Sequence, residues 1–207
     1  EAGGEHLFGD IVIAGVDVGS RSLHVDVAVV QEDPDTGKKM RVGRWVGEVG
    51  TFEALYDLLV RYSVNLAVVD ARPETRKAQE IRDKCASTGV CDLWLCQFHP
   101  TDRVGADSYG MRKHWERRVI TVDGTQLLDA TMDDVRVTPA RKTWPEDVWR
   151  VKGWRDQMLA PKRVLAKSGQ RFIWSEGSAE DHFRFADAYQ RVALDLSGEW
   201  GGYHVRK

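Results

Sequence analysis

No stretch of this 207-residue sequence approaches the ~20 consecutive apolar residues that a bilayer span needs, and no secretory leader pattern opens it. Cysteine is scarce and odd in number. Cys85, Cys91 and Cys96 follow a C-x5-C-x4-C spacing that matches no common zinc pattern and cannot make a full disulfide framework. They read as reduced, buried thiols of an intracellular protein. There is no G-x-x-x-x-G-K-[S/T], which excludes a P-loop ATPase from this chain. Repeats, low-complexity segments and a composition break are all lacking, so residues 1–207 are expected to form one domain. Residues 1–9 read as a disordered stretch or linker, and 197–207 as a tail. The start at Glu1 in "EAGGEH" carries the expectation of a further domain upstream.

A large charge of one sign is also missing. The formal net charge is −2, which excludes a global basic field. The local distribution is different. Residues 136–171 hold ten Lys/Arg against three acids, and "MRKHWERR" over 111–118 makes a second basic cluster. Such clusters suit a polyanion, because affinity for nucleic acid comes from local phosphate neutralisation. Each taken alone also reads as a solvated face. Trp115, inside the second cluster, suits base stacking or plain packing.

What is present is a patterned α/β chain. "VIAGVDVGSRS" over 12–22 is an apolar strand that ends on Asp17 and turns at Gly19. "LHVDVAVV" over 23–30 alternates, with Leu23, Val25, Val27 and Val29 on one face. "MRVGRWVGEV" over 40–49 makes a third antiparallel strand. Thr51 caps a helix with Phe52, Leu55, Leu58, Leu59 and Tyr62 at helical spacing. "NLAVVD" over 65–70 is unalternating, as a parallel strand buried on both faces should be, and it too ends on a carboxylate, Asp70. A helix over 74–87, a strand over 91–98 and a strand over 117–122 follow. Asp123 with Gln126 starts the next helix. Thr143, Pro145 and Glu146 predict another, reaching about Met158. A short strand over 171–177 precedes a last helix over about 179–196.

This β-β-β-α-β-α-β order is that of the ribonuclease H-like fold: an α/β class with a mixed central sheet, three antiparallel strands then parallel ones, flanked by helices. There the first and fourth strands are neighbours. Asp17 and Asp70 would then share the crevice at the carboxyl ends of the strands. Two such carboxylates repel unless they share a proton or hold a cation, and a hard divalent ion prefers oxygen donors. The last helix, "SAEDHFRFADAYQRVALDL", offers more donors. A helical wheel puts Arg184, Ala188, Arg191 and Asp195 in the solvent stripe, and Phe185, Ala186, Tyr189, Val192, Ala193 and Leu196 inside. Asp181 and Asp187 lie at the borders and His182 lies within the buried face. Each residue also has a plain reading: Asp17 a turn former, Asp70 and Asp181 caps, Asp187 an ion-pair partner, His182 a core histidine.

"GVDVGS", "AVVDARP" and "EDHFRFADAY" together resemble the nuclease domain of phage terminase large subunits. The order of Trp154, Gln157-Met158, Ala160-Pro161, Arg163, Gly169, Trp174, Asp181-His182-Phe183-Arg184 and Asp187-Ala188-Tyr189 is similar too. The resemblance spans about 10–196. It implies a double-strand DNA endonuclease of low sequence specificity in viral DNA packaging, working through two Mg²⁺ or Mn²⁺ ions in the host cytoplasm. Asp17, Asp70 and Asp187 would be catalytic metal ligands, with His182 or Asp181 as a fourth. Arg112, Lys113, Arg117, Arg118, Lys162, Arg163 and Lys167 would hold the DNA backbone. The implied partners are DNA, an ATPase motor domain outside this chain, the portal and the small terminase subunit. Rival readings are a RuvC-like resolvase or transposase-type nuclease, an actin-like or kinase-like nucleotide-binding half domain, and a fold that has lost catalysis.

Overall fold

Apolar strands of the lengths found here must bury both faces, and the chain does this by sandwiching one sheet between two helical layers. The computed structural model describes residues 10–99, 108–166, 169, 172–175 and 180–200. Strands β1 (Ile11–Val18), β2 (Leu23–Glu32) and β3 (Lys39–Val49) form the antiparallel half. Then come α1 (Phe52–Arg61), β4 (Leu66–Asp70), α2 (Thr75–Thr88) and β5 (Asp92–Phe98). The short β6 (Arg112–His114) and β7 (Val119–Val122) lead to α3 (Gly124–Arg136) and the two-residue β8 (Lys142–Thr143). The chain continues with α4 (Trp154–Leu159), a hairpin of β9 (Lys162–Leu165) and β10 (Phe172–Ser175), and α5 (His182–Trp200).

The eight-stranded sheet runs β6-β7-β5-β4-β1-β2-β3-β8, with β4 parallel to both β1 and β5. This is the mixed sheet expected from the order of apolar runs. Helices α1 and α2 cover one face through Leu55, Leu58, Leu59, Ala78, Ile81 and Cys85. Helices α3 and α5 cover the other through Leu127, Leu128, Tyr189, Val192 and Ala193. Thr51 caps α1 by accepting from the Ala54 amide at 3.1 Å, and Asp123 caps α3 by accepting from Gln126 at 3.0 Å. The three cysteines are free and buried. No described helix is long and apolar enough to cross a membrane.

Three expectations are corrected. The helix predicted from Thr143 to Met158 is broken: it holds β8, a 3-10 turn at Val148–Arg150, and α4. Gly153, in left-handed backbone at φ +75°, divides that segment. The last helix reaches Trp200, past the tail boundary at 197. It also has no solvent stripe where one was read. Arg184 and Ala188 are buried, and Arg191 and Asp195 are half-buried. The helix lies between the sheet and helices α3 and α4, so charged residues on its outer side are enclosed. Lys167, and residues 171, 176 and 177 of the expected 171–177 strand, lie outside the described residues.

One residue decides how closely α5 approaches. A Cβ at Gly15 would lie 2.1 Å from the Ala186 carbonyl oxygen and 2.2 Å from the Gln190 nitrogen. The helix backbone therefore rests on the strand backbone, and no side chain fits between. Gly15→Ala is expected to cost about 3 kcal/mol or more, since backbone has no rotamer with which to yield. Urea unfolding measures this, and a midpoint equal to the parent's would disprove the close seating of α5.

Candidate active site

Val16 pairs with Val69 in the parallel β1–β4 register, so Asp17 and Asp70 come next on adjacent strands. Strands in a sheet lie about 4.8 Å apart. Both carboxylates line one cavity of about 290 Å³, with Arg72, Gln97, Phe98, Asp181, His182, Phe185 and Tyr189. The first turn of α5 and the residue before it thus reach the strand ends, which is what the close seating on Gly15 permits.

The electrostatics are those of crowded acids. Burial, together with the charge of Asp17, pushes the Asp70 carboxyl up to about 7, against hydrogen bonds from the Arg72 amide and the Tyr189 hydroxyl. The Tyr189 hydroxyl is itself held well above its usual range by burial. His182 Nδ1 lies 2.7 Å from Asp17 Oδ2, and this bond raises the pKa of His182. His24, opposite Asp17 on β2, stacks on His182 at 4.5 Å between ring centroids. Burial, and then the charge of His182, lower the pKa of His24. Of the stacked pair, His182 therefore binds a proton more readily than His24. Single donor atoms of Asp17, His24 and His182 lie within 4.8 Å of one another.

Asp187 is elsewhere. Its carboxylate takes a 2.7 Å hydrogen bond from Arg41 and lies 3.9 Å from Lys142 and 3.6 Å from Arg184, with no exposed surface. Burial would raise its pKa, but these three cations hold it below the usual carboxylate range. Asp187 does not line the Asp17/Asp70 cavity; Asp181 does. The reason is helical direction. His182, Phe185 and Tyr189 share the face of α5 that lines the cavity, and Asp187, about 200° around the helix from Phe185 and Tyr189, meets Arg41 instead.

The same network was missed in the sequence. Lys142 Nζ bonds Asp26 at 2.8 Å and Gln190 at 2.7 Å, and Arg41 bonds Asp134 at 3.1 Å. Asp26 stands on the polar side of the alternating strand β2, a side that reads as solvated. Only α5 lying across it makes it interior.

The basic candidates scatter. Arg112 and Lys113 lie on the edge strand β6. Arg118 bonds Asp92 at 3.0 Å and Arg117 lies beside it, at the start of β5, the end of the sheet away from Asp70. Asp92 lies four residues, about 13 Å, along β5 from Cys96, the partner of Asp70, and neither Arg117 nor Arg118 lines the cavity. Lys162 and Arg163 are exposed on β9, with Arg163 bonded to Asp129 at 3.1 Å. Trp115 packs edge-on against Trp94 near that far end.

No protein-family model matches the chain, and no curated protein gives a significant match. Solved structures do. The nuclease domain of the large terminase subunit of bacterial virus Sf6, with manganese and beta-thujaplicinol, superposes with a TM-score of 0.55 at 10% identity, covering 87% of this chain and 86% of that one. The large terminase nuclease of thermophilic phage G20c superposes at 0.51 with 15% identity, covering 90% and 84%. The fold is that of the large-terminase nucleases. The same phage G20c nuclease with bound magnesium superposes at 0.50 with 14% identity, covering 90% and 83%. On this fold the strand-end acids Asp17 and Asp70 line one cavity with Asp181, and Asp187 lies outside that cavity.

Proposed function

We propose that this chain is a divalent-metal-dependent endonuclease that cuts double-stranded DNA with little sequence preference, as the genome-cutting part of a viral packaging terminase. One observation carries the reading: Asp17 and Asp70, on adjacent strand ends, share a cavity with Asp181 and His182 from the start of α5. The residues fit a cation, because burial and mutual repulsion already burden the Asp70 carboxylate, and a positive ion would relieve both. Asp17, Asp70 and Asp181 would hold Mg²⁺ or Mn²⁺, two ions on this reading, with His182 beside them. Bound there, such ions acidify water and offset charge on the phosphodiester.

The chain's own groups have separate tasks. The Asp17 carboxylate fixes the His182 ring through Nδ1. Tyr189 and the Arg72 amide hold Asp70 in one orientation. The Arg72 side chain lines the cavity and can meet a backbone phosphate. Arg112, Lys113, Lys162 and Arg163 extend the DNA contacts. The motor domain, portal and small subunit are the partners this role requires.

The test is plasmid nicking with Mn²⁺ or Mg²⁺. The parent should nick and then linearise, and Asp17→Asn and Asp181→Asn should fall to background while remaining folded. Activity should drop steeply as salt rises, because phosphate contacts release counterions. Cleavage that ignores salt or survives Asp17→Asn would overturn the reading, and a strong preference for four-way junctions would move it to a resolvase.

A further inference from the structure

A second cavity, of about 190 Å³, adjoins the first and shares Phe98, Asp181 and Phe185 with it. Its walls are aromatic: Phe98, Phe185 and Trp174. The indole of Trp174 is fixed by a 2.9 Å hydrogen bond to Asp129. The floor is the N-terminus of α3, with Asp123, Gly124 and Thr125. Asp123 has no exposed surface. Its Oδ1 caps the helix by accepting from the Gln126 amide at 3.0 Å, whereas its Oδ2 has no hydrogen-bond partner among the described residues. A buried acceptor left unpaired costs stability and calls for an explanation. Phe98 closes over this floor. A Cβ at Gly124 would lie 3.3 Å from the Phe98 ring, so a side chain there would push the ring aside. Phe98 is 44% exposed, and a rotamer change can carry its ring outward and uncover the floor.

We propose that this cavity receives one nucleobase of the strand being cut, stacked against Phe98 and Phe185, with its amino edge donating to Asp123 Oδ2. The proposal rests on the nuclease reading above and deepens it. A free acceptor on a carboxylate rejects phosphate and carbonyl oxygen and selects an N–H donor. Aromatic walls select a flat ring. Among bases, cytosine offers an N4 amino donor where thymine offers the O4 acceptor, so cytosine should be favoured over thymine at this one position, by less than tenfold, which leaves duplex cleavage with little sequence preference.

The experiment measures binding of short fluorescent single strands to the whole chain by anisotropy, in Ca²⁺. Oligo-dC, oligo-dT and a strand of the same length carrying abasic sites are compared. The parent should bind oligo-dC about tenfold more tightly than the abasic strand, with oligo-dT between them. Asp123→Asn keeps the capping oxygen and turns the second position into an amide donor, so the order of dC and dT should invert. Phe98→Ala, at a half-exposed position that folding tolerates, should erase the gap between dC and the abasic strand. Thermal melting of both variants establishes that they are folded. Equal binding of dC and abasic strands by the parent, or an unchanged dC/dT ratio in Asp123→Asn, would overturn the base site. If the parent still nicks plasmid in that case, the nuclease reading survives; a parent that neither binds nor nicks overturns both.

Discussion

Asp70→Asn is expected to make the metal-free fold more stable at pH 8 while ending DNA cleavage. Burial and the neighbouring Asp17 charge raise the folded pKa of Asp70 to about 7, from 3.8. The folded state therefore binds a proton more tightly than the unfolded chain does. Below about pH 4 the carboxyl is protonated in both states and carries no penalty. As pH rises from about 4 to 7 the unfolded chain ionises first, and stability falls. Above pH 7 the full penalty is present, about 4 kcal/mol for a shift of this size. Asn keeps an acceptor oxygen for the Arg72 amide and carries no charge. Urea unfolding of parent and variant in a chelator should thus agree near pH 4 and diverge towards pH 8, with the variant ahead. Saturating Mn²⁺ should close the gap by stabilising only the parent, through mass action. A variant less stable than the parent at pH 8 would mean that Asp70 is a structural partner rather than a site acid.

Asp187→Asn should do the reverse, damaging the fold and sparing the metal site. It leaves the Arg41 guanidinium, which has no exposed surface, without its 2.7 Å carboxylate, and weakens the pairing with Lys142 and Arg184. Removing one partner of a buried ion pair costs about 3–5 kcal/mol. Thermal melting should show that loss. Calorimetric titration with Mn²⁺, at a temperature where the variant is folded, should give the parent's affinity. Loss of Mn²⁺ binding from a variant of unchanged stability would return Asp187 to the site and displace Asp181. The two substitutions form a matched pair. One carboxylate is burdened by burial and a like charge, the other is paired with buried cations, and their stability effects should have opposite signs.

Local pattern carried the sheet and two of the acids. The apolar run of β1, the unalternating run of β4, and the caps Thr51 and Asp123 are signals within a few residues of one another. Strand order then followed from the rules of chain connection. Asp17 and Asp70 were legible because each ends its strand, and a parallel register brings such ends together. The third acid at the cavity, Asp181, entered only as an alternative fourth donor. A helical wheel gives each residue's direction around α5 but not what each direction meets, and the close seating on Gly15 fixes that. Once α5 is seated there, its first turn meets the strand ends, and Asp187 drops into the charges of Arg41 and Lys142. Nor could sequence tell that the polar side of β2 is interior, because alternation separates two faces without saying what covers the second. The sequence alone determined which strands form and which two carboxylates end them. Tertiary structure decided which further donor reaches the site and which charges are buried, because both depend on one helix packed across residues far away in the chain.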